Sequence, residues 1–174
     1  MSGLYRLLLT LPLLMLAACV HQAPRNPMAQ WAPSENFDER RPRLIVLHAT
    51  EMDSAEAALR VLKTENSGGQ VSAHYLIAED GRIFQLVSDS KRAWHAGVSQ
   101  WQQRERCNDF SVGIELEGSD FEAFTEAQYA SLQSLLAALQ LSYPIQAIVG
   151  HSDIAPGRKT DPGPFFDWQR IITP

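Results

Sequence analysis

The stretch from Gly150 to Pro164 crowds a histidine, a lysine and an acid (His151, Lys159 and Asp161) into one polar segment that follows an apolar run. Pro156, Pro162 and Pro164 remove backbone donors and Gly157 and Gly163 loosen the chain, so the spacing predicts a loop without helix, fixed by its own prolines. Prolines give up little entropy on folding, and such a loop can hold His151 and Asp161 near one point at low ordering cost. That suits a metal or catalytic site. By itself the stretch is equally a rigid surface turn in which Lys159 and Asp161 form a solvated ion pair.

Other residues with chemical potential are spread along the chain. His48 ends the β-prone run Arg43-Leu44-Ile45-Val46-Leu47, the pattern of a strand buried on both faces, so it stands at a strand end. A hydrogen-bonded rim histidine would look the same. Glu115 lies between Ile114 and Leu116 in the run Phe110 to Gly118, where an acid is costly unless paired or functional, and alternation puts Glu117 on the same face. His48, His151 and Asp161 together supply two nitrogens and one oxygen, the open three-ligand set of a catalytic zinc site, although spacing alone does not bring them together. No H-E-x-x-H helix is present. His74 reads as a core or supporting histidine, and Cys107 as a lone buried thiol rather than a nucleophile.

The elements that must position these residues are legible as an alternation of strands and helices. Ser54 caps a helix whose apolar face is Ala55, Ala58, Leu59 and Leu62, broken at Asn66-Ser67-Gly68-Gly69. Val71 to Ala78 and Ile83 to Val87 are two strands joined at Asp80-Gly81, which predicts a hairpin. Ala93-Trp94-His95-Ala96-Gly97 with Trp101 is an aromatic, small-residue loop able to floor a pocket for a sugar or a peptide. Thr125 caps a long helix with the stripe Tyr129, Leu132, Leu135, Leu136 and Leu139. Ile145 to Gly150 is the strand that delivers His151, and Phe165 to Ile171 a short closing helix.

A chain of 174 residues with a net charge of -5 fits one globular domain and has no basic stripe, which argues against nucleic acid as a partner. At the N-terminus, Arg6 precedes an apolar run that is short and contains Pro12, the pattern of a signal peptide over 1–18 rather than a membrane span. Leu16-Ala17-Ala18-Cys19 resembles a bacterial lipobox, so Cys19 is expected to be acylated and to anchor the chain at a membrane. Val20, not an aspartate, follows it, which implies sorting to the periplasmic side of a Gram-negative outer membrane. Residues 19–42 then read as a lipidated N-terminus and tether with no core of its own, and 43–174 as the domain.

Several segments in the same order carry a family resemblance. Val71 to His74, Lys91 to Gln100, Arg104 to Ser111, Gly113 to Gly118 and Lys159 to Pro164 are similar to the zinc-dependent N-acetylmuramoyl-L-alanine amidases of the AmpD group, over about Arg43 to Ile171. The resemblance implies an α/β fold, a mixed central sheet flanked by helices as in the amidase and peptidoglycan-recognition domains. It implies one zinc ion per chain on His48, His151 and Asp161, Glu115 as general base and Lys159 as the cation that holds the developing oxyanion. The implied substrate is peptidoglycan or a muropeptide, cut between the lactyl group and L-alanine, by what is expected to be a monomer. Trp94 and His95 are expected to line the sugar pocket. Arg106 is the candidate for a peptide carboxylate, which a guanidinium matches bidentately, or else one half of a surface ion pair. AmpD-group enzymes are usually cytosolic, so the leader is a departure, and it opens both intact wall and anhydro-ended fragments as substrates. The competing class is a recognition domain that binds muropeptides without cutting them; the joint presence of His48, His151, Asp161, Glu115 and Lys159 argues against it.

Overall fold

The computed structural model describes residues 26–39, 42–66, 68–119 and 121–171. The expected signal peptide and Cys19 lie outside them. Six strands form the main sheet: β1 Gln30–Trp31, β2 Leu44–Ala49, β3 Tyr75–Ile77, β4 Ile83–Gln85, β5 Ser111–Leu116 and β6 Ala147–Gly150, in the spatial order β1-β4-β3-β5-β2-β6. β4 pairs antiparallel with β3 and the other neighbours are parallel, so the sheet is mixed. The expected α/β class is what is found. Among the described residues no helix is long and apolar enough to cross a membrane.

Alternation along the central strands decides what each face carries. Ile45, Leu47 and Ala49 of β2 and Val112, Ile114 and Leu116 of β5 pack with Tyr129, Leu132, Leu135, Leu136 and Leu139 of helix α2, Glu126–Ser142. The opposite parity, Leu44, Val46 and His48 on β2 and Ser111, Gly113 and Glu115 on β5, lies on the other face. Leu44 and Val46 there pack with Ala96, Cys107, Phe110 and Ile154. Helix α2 starts where the sequence predicts. The Thr125 hydroxyl accepts from Gln128 N–H and the Gln128 side chain accepts from Thr125 N–H, which satisfies two otherwise orphaned donors. Helix α1, Ala55–Lys63, is capped by Ser54 and buries Ala55, Ala58 and Leu62 against Leu76 and Phe84, covering the site side of the sheet edge.

Three expectations change. The loop predicted without helix opens with one helical turn, α3 His151–Ile154, because Pro156 lies beyond that turn and the Asp153 carboxylate accepts the Gly150 N–H. The closing helix is only a 3-10 turn, Trp168–Arg170. Of the tether expected over 19–42, the described residues 26–39 are paired with the domain: β1 adds an edge strand to β4, and Phe37–Glu39 pairs with Lys91–Ala93. Polar side chains rather than an apolar stripe fasten this segment. Ser34 Oγ donates to the Leu62 carbonyl at 2.8 Å and Asn36 Nδ2 to the Val71 carbonyl at 3.2 Å, so hydrophobic periodicity gave no sign of it.

Candidate metal and catalytic site

At the carboxyl ends of β2, β5 and β6 the sheet delivers three chemically active side chains to one place. The β2–β5 register sets Glu115 beside His48, and β6 runs straight into His151 at the start of α3. The loop then doubles back, with Ser152 N–H donating to the Asp161 carbonyl at 3.0 Å, and brings the Asp161 carboxylate in from the third side. Gly150 is required at this crossing, since a Cβ there would stand 2.9 Å from Pro162 Cδ.

His48 Nδ1, His151 Nδ1 and Asp161 Oδ2 form a triangle with edges of 3.0, 3.0 and 3.1 Å, and all three residues are buried. The outward nitrogens decide where the ring protons are. His151 Nε2 lies 3.1 Å from the Ala96 carbonyl, which can only accept, and 3.5 Å from Arg158 Nη2, which can only donate; the shorter contact places the His151 proton on Nε2 and turns the bare Nδ1 inward. For His48 the same logic runs through two more side chains: Nε2 is 3.0 Å from His95 Nδ1, His95 Nε2 is 3.2 Å from Ser111 Oγ, and Ser111 Oγ donates to the Cys107 carbonyl at 2.7 Å. Since the last group only accepts, each proton points down the line and His48 Nδ1 is bare as well. Three acceptors therefore face one another with no donor between them, which is unfavourable unless a cation joins them.

Adding a proton is the alternative, and burial opposes it: His48 is pushed down from its ordinary value to about 4, by burial first and then by the neighbouring His151 and Lys159, with Asp161 acting in the opposite sense. Ligand atoms bound at roughly 2.0–2.2 Å in a tetrahedron stand about 3.3 Å apart, so this triangle fits a zinc-sized ion with little movement, and the two-imidazole, one-carboxylate set leaves a fourth position open. Among the described residues this is the group of His, Cys, Asp and Glu side chains that could hold a metal ion.

Glu115 and Lys159 share the groove above this triangle, which Trp94 also lines. Glu115 is half-buried, and burial pushes its carboxyl up to about 8, with the Asp161 charge adding to the rise and Lys159 working against it. Lys159 is exposed at the groove mouth. Glu117, expected on the same face as Glu115, belongs instead to a separate acidic depression, where its Oε2 accepts from the Glu79 N–H at 2.7 Å. Arg106 is not in the groove. It sits at φ 60°, its Nε pairs with Asp109 at 2.9 Å, and it lines a different depression with Val98 and Pro156. His95 borders the groove beside Trp94, is 9% exposed, and has both its ring nitrogens engaged with His48 and Ser111.

His74 takes the supporting part expected of it. Its Nδ1 accepts from Gly113 N–H at 3.0 Å and its Nε2 reaches the Lys91 carbonyl at 2.9 Å, which stitches β5 to the chain ahead of β3. Cys107 is a free buried thiol raised by burial, as befits a packing residue. The residues that sequence reasoning did not find are Ser111, Gly113 and Arg158, whose Nη2 donates to the Ala96 and Val98 carbonyls at 2.7 Å each. Extending the alternation that singled out Glu115 would have placed Ser111 and Gly113 on its face.

An α/β domain with a candidate cation site at the base of a groove, a carboxyl raised by burial and a lysine lining the same groove has the parts of a hydrolase. Residues 38–164 match the family described as N-acetylmuramoyl-L-alanine amidase (Amidase_2), and the chain belongs to that family. Over 104 residues it is 63% identical to the 1,6-anhydro-N-acetylmuramyl-L-alanine amidase AmpD of Escherichia coli (strain K12), a stretch covering 59% of this chain and 57% of that protein. The crystal structure of a selenomethionine AmpD derivative is similar with a TM-score of 0.78 at 43% identity, covering 84% of this chain and 94% of that one. A complex of the amidase AmiD from E. coli with anhydro-N-acetylmuramic acid-L-Ala-D-gamma-Glu-L-Lys is similar with a TM-score of 0.68 at 38% identity, covering 76% of this chain and 57% of that one. The chain thus spans little more than half of the length of two of these relatives.

Proposed function

We propose that the protein hydrolyses the amide bond between the lactyl group of N-acetylmuramic acid, or of its 1,6-anhydro form, and the L-alanine of a stem peptide, with a zinc ion held by His48, His151 and Asp161. The observation that carries this reading is the buried triangle of acceptors with 3.0–3.1 Å edges, on whose groove Glu115 and Lys159 both open. When bound, zinc lowers the pKa of a water toward neutrality and polarises the substrate carbonyl.

Glu115 takes a proton from the attacking water and returns it to the departing L-alanine amine. Its carboxyl, raised to about 8 by burial and by the Asp161 charge and lowered in turn by Lys159, holds the proton between the two halves of the exchange, and a bound divalent ion would favour the ionised form that accepts it. Lys159 donates to the oxygen on which negative charge develops. Trp94, half-buried in the groove wall, offers a face to the sugar ring. The AmiD complex, whose ligand carries the anhydro-muramyl end, supports that end as a substrate here. The apolar leader and Leu16-Ala17-Ala18-Cys19 support export and acylation at Cys19, which would hold the domain at the periplasmic face of the outer membrane.

The test is to incubate the purified protein with defined muropeptides and with polymeric sacculi, with and without a zinc chelator, and to identify products by mass. Chelator-sensitive release of free stem peptide is expected, and comparing substrates separates wall from fragment. Tight binding without cleavage by zinc-loaded protein would overturn the reading in favour of a recognition domain.

A further inference from the structure

The two imidazoles of the triangle are held in different ways. His151 leans on the Ala96 carbonyl, a backbone acceptor whose role cannot change. His48 leans on His95, a side chain whose Nδ1 accepts only while its own proton sits on Nε2, and Ser111 Oγ accepts from that Nε2 because its own hydroxyl donates to the Cys107 carbonyl. The line is mostly buried, with His48 1%, His95 9%, Ser111 0% and Cys107 0% exposed, and His48 and His95 border the groove only at its edge.

The fold confines the His95 ring closely. Its backbone N–H and that of Ala96 both donate to Asn108 Oδ1, at 3.1 and 2.9 Å. The His74 ring stands edge-on to it at 5.7 Å between centroids. Gly113 supplies the space, since a Cβ at that position would lie 2.4 Å from His95 Cγ. A glycine in the middle of a central strand weakens the strand, so its placement under this ring needs a reason, and room for His95 is one.

We propose that His95, oriented by Ser111, is a positioning residue: it sets the tautomer and the ring orientation of His48 and thereby the affinity of the site for its metal ion. This rests on the reading of His48, His151 and Asp161 as zinc ligands. His95 acts through His48, since its two ring nitrogens are engaged by His48 and Ser111. Partners of this kind behind a ligating histidine typically change metal affinity by about 10- to 100-fold when removed.

The experiment compares His95→Leu, which keeps bulk and loses the acceptor, with His95→Asn, whose Oδ1 falls near the Nδ1 position but which fills less space. Zinc dissociation constants are measured by chelator competition, the cobalt-substituted visible spectrum reports the ligand field, and thermal midpoints of the metal-free proteins report folding. The expected result is a loss of zinc affinity of about 10- to 100-fold in His95→Leu with an altered cobalt spectrum, and recovery to within about threefold of wild type in His95→Asn, although asparagine packs less well. Should His95→Leu fail to fold, Ser111→Ala removes the group that fixes the His95 proton with almost no change of shape, and a several-fold loss of affinity is expected there. Wild-type affinity in His95→Leu or, failing that variant, in Ser111→Ala would overturn the proposal, as would losses that follow the thermal midpoints with asparagine no better than leucine. A wild-type protein that binds no zinc would instead sink the metal reading itself, and this inference with it.

Discussion

Two buried polar clusters sit in the same sheet, and they differ in how their hydrogen bonds balance. Around Tyr75 every donor has an acceptor: the phenol donates to Asp89 Oδ1 at 2.6 Å, Gln85 Nε2 donates to the Tyr75 oxygen at 3.0 Å and to Asp89 Oδ1 at 3.2 Å, and Asn26 N–H donates to Gln85 Oε1 at 3.1 Å. Burial first, and then the Asp89 charge, pushes the Tyr75 phenol well above its ordinary range, so it remains a donor. Around His48 three acceptors converge within 3.1 Å. Burial is common to both clusters and therefore does not mark the functional one. The imbalance does: a cluster that closes its own hydrogen bonds holds the fold together, and one that leaves acceptors facing each other is shaped for something added later.

The sharpest way to break this contrast is to edit the groove without touching the triangle. Glu115→Gln should lower stem-peptide release by about 10²- to 10⁴-fold while zinc affinity stays within a few-fold of wild type. Turnover like that of wild type would remove Glu115 as the base. Lys159→Met should lower kcat by about 10²- to 10³-fold, again with zinc retained. If only KM moved, Lys159 would be a binding residue rather than a stabiliser of the developing charge.

A smaller effect separates the clusters by pH in the metal-free protein. His48 is held at about 4 in the folded state against 6.5 as its ordinary value, so between those limits the unfolded chain binds more protons. Its stabilising contribution is complete above pH 6.5 and is lost as pH falls toward 4, by roughly 3 kcal/mol at 1.36 kcal/mol for each pKa unit. Glu115, raised by burial to about 8 from 4.5, keeps in the fold a proton that the unfolded chain has lost between those limits, and so slopes the opposite way over the same window. Urea midpoints of the chelator-treated Glu115→Gln protein at pH 7, 5.5 and 4 therefore isolate the His48 contribution. A flat response from 7 to 5 in that background would mean that His48 is not held neutral by its burial. The Tyr75 phenol does not titrate in this window, so Tyr75→Phe should leave the slope as it is.

Much of the scaffold was legible because its signals are local. The run ending in His48, the caps at Ser54 and Thr125 and the stripe of α2 each depend on neighbours a few residues away, and each is found where expected. The trio His48, His151 and Asp161 was legible as a donor set, while its convergence depends on β2 and β6 lying side by side, a contact between segments about 100 residues apart. The line from His48 to Cys107 was hidden for the same reason, since His48 comes alongside Ser111 and its neighbours only because β5 pairs with β2, and His95 fits between only because Gly113 leaves the space. Residues 26–39 escaped notice because they are fastened by Ser34 and Asn36 through hydrogen bonds, which leave no periodic trace in hydrophobicity.

The smallest and most discriminating test applies one kind of edit to each cluster. Tyr75→Phe removes a donor from the balanced one. Asp89 keeps Gln85 Nε2 at 3.2 Å, so the cost falls short of a fully stranded carboxylate and is expected at about 1–2 kcal/mol in urea unfolding, with zinc affinity and turnover unchanged. Asp161→Asn replaces one acceptor of the unbalanced cluster by an amide that can donate to a bare imidazole nitrogen. In the metal-free protein this should cost nothing or raise stability, even as it weakens zinc binding. Both side chains are buried and both substitutions keep their shape, so opposite signs follow from the hydrogen-bond balance together with the Asp161 charge, which also raises Glu115. A destabilised metal-free Asp161→Asn protein would mean that the triangle already carries a donor, and that the ring protons of His48 and His151 do not lie on Nε2.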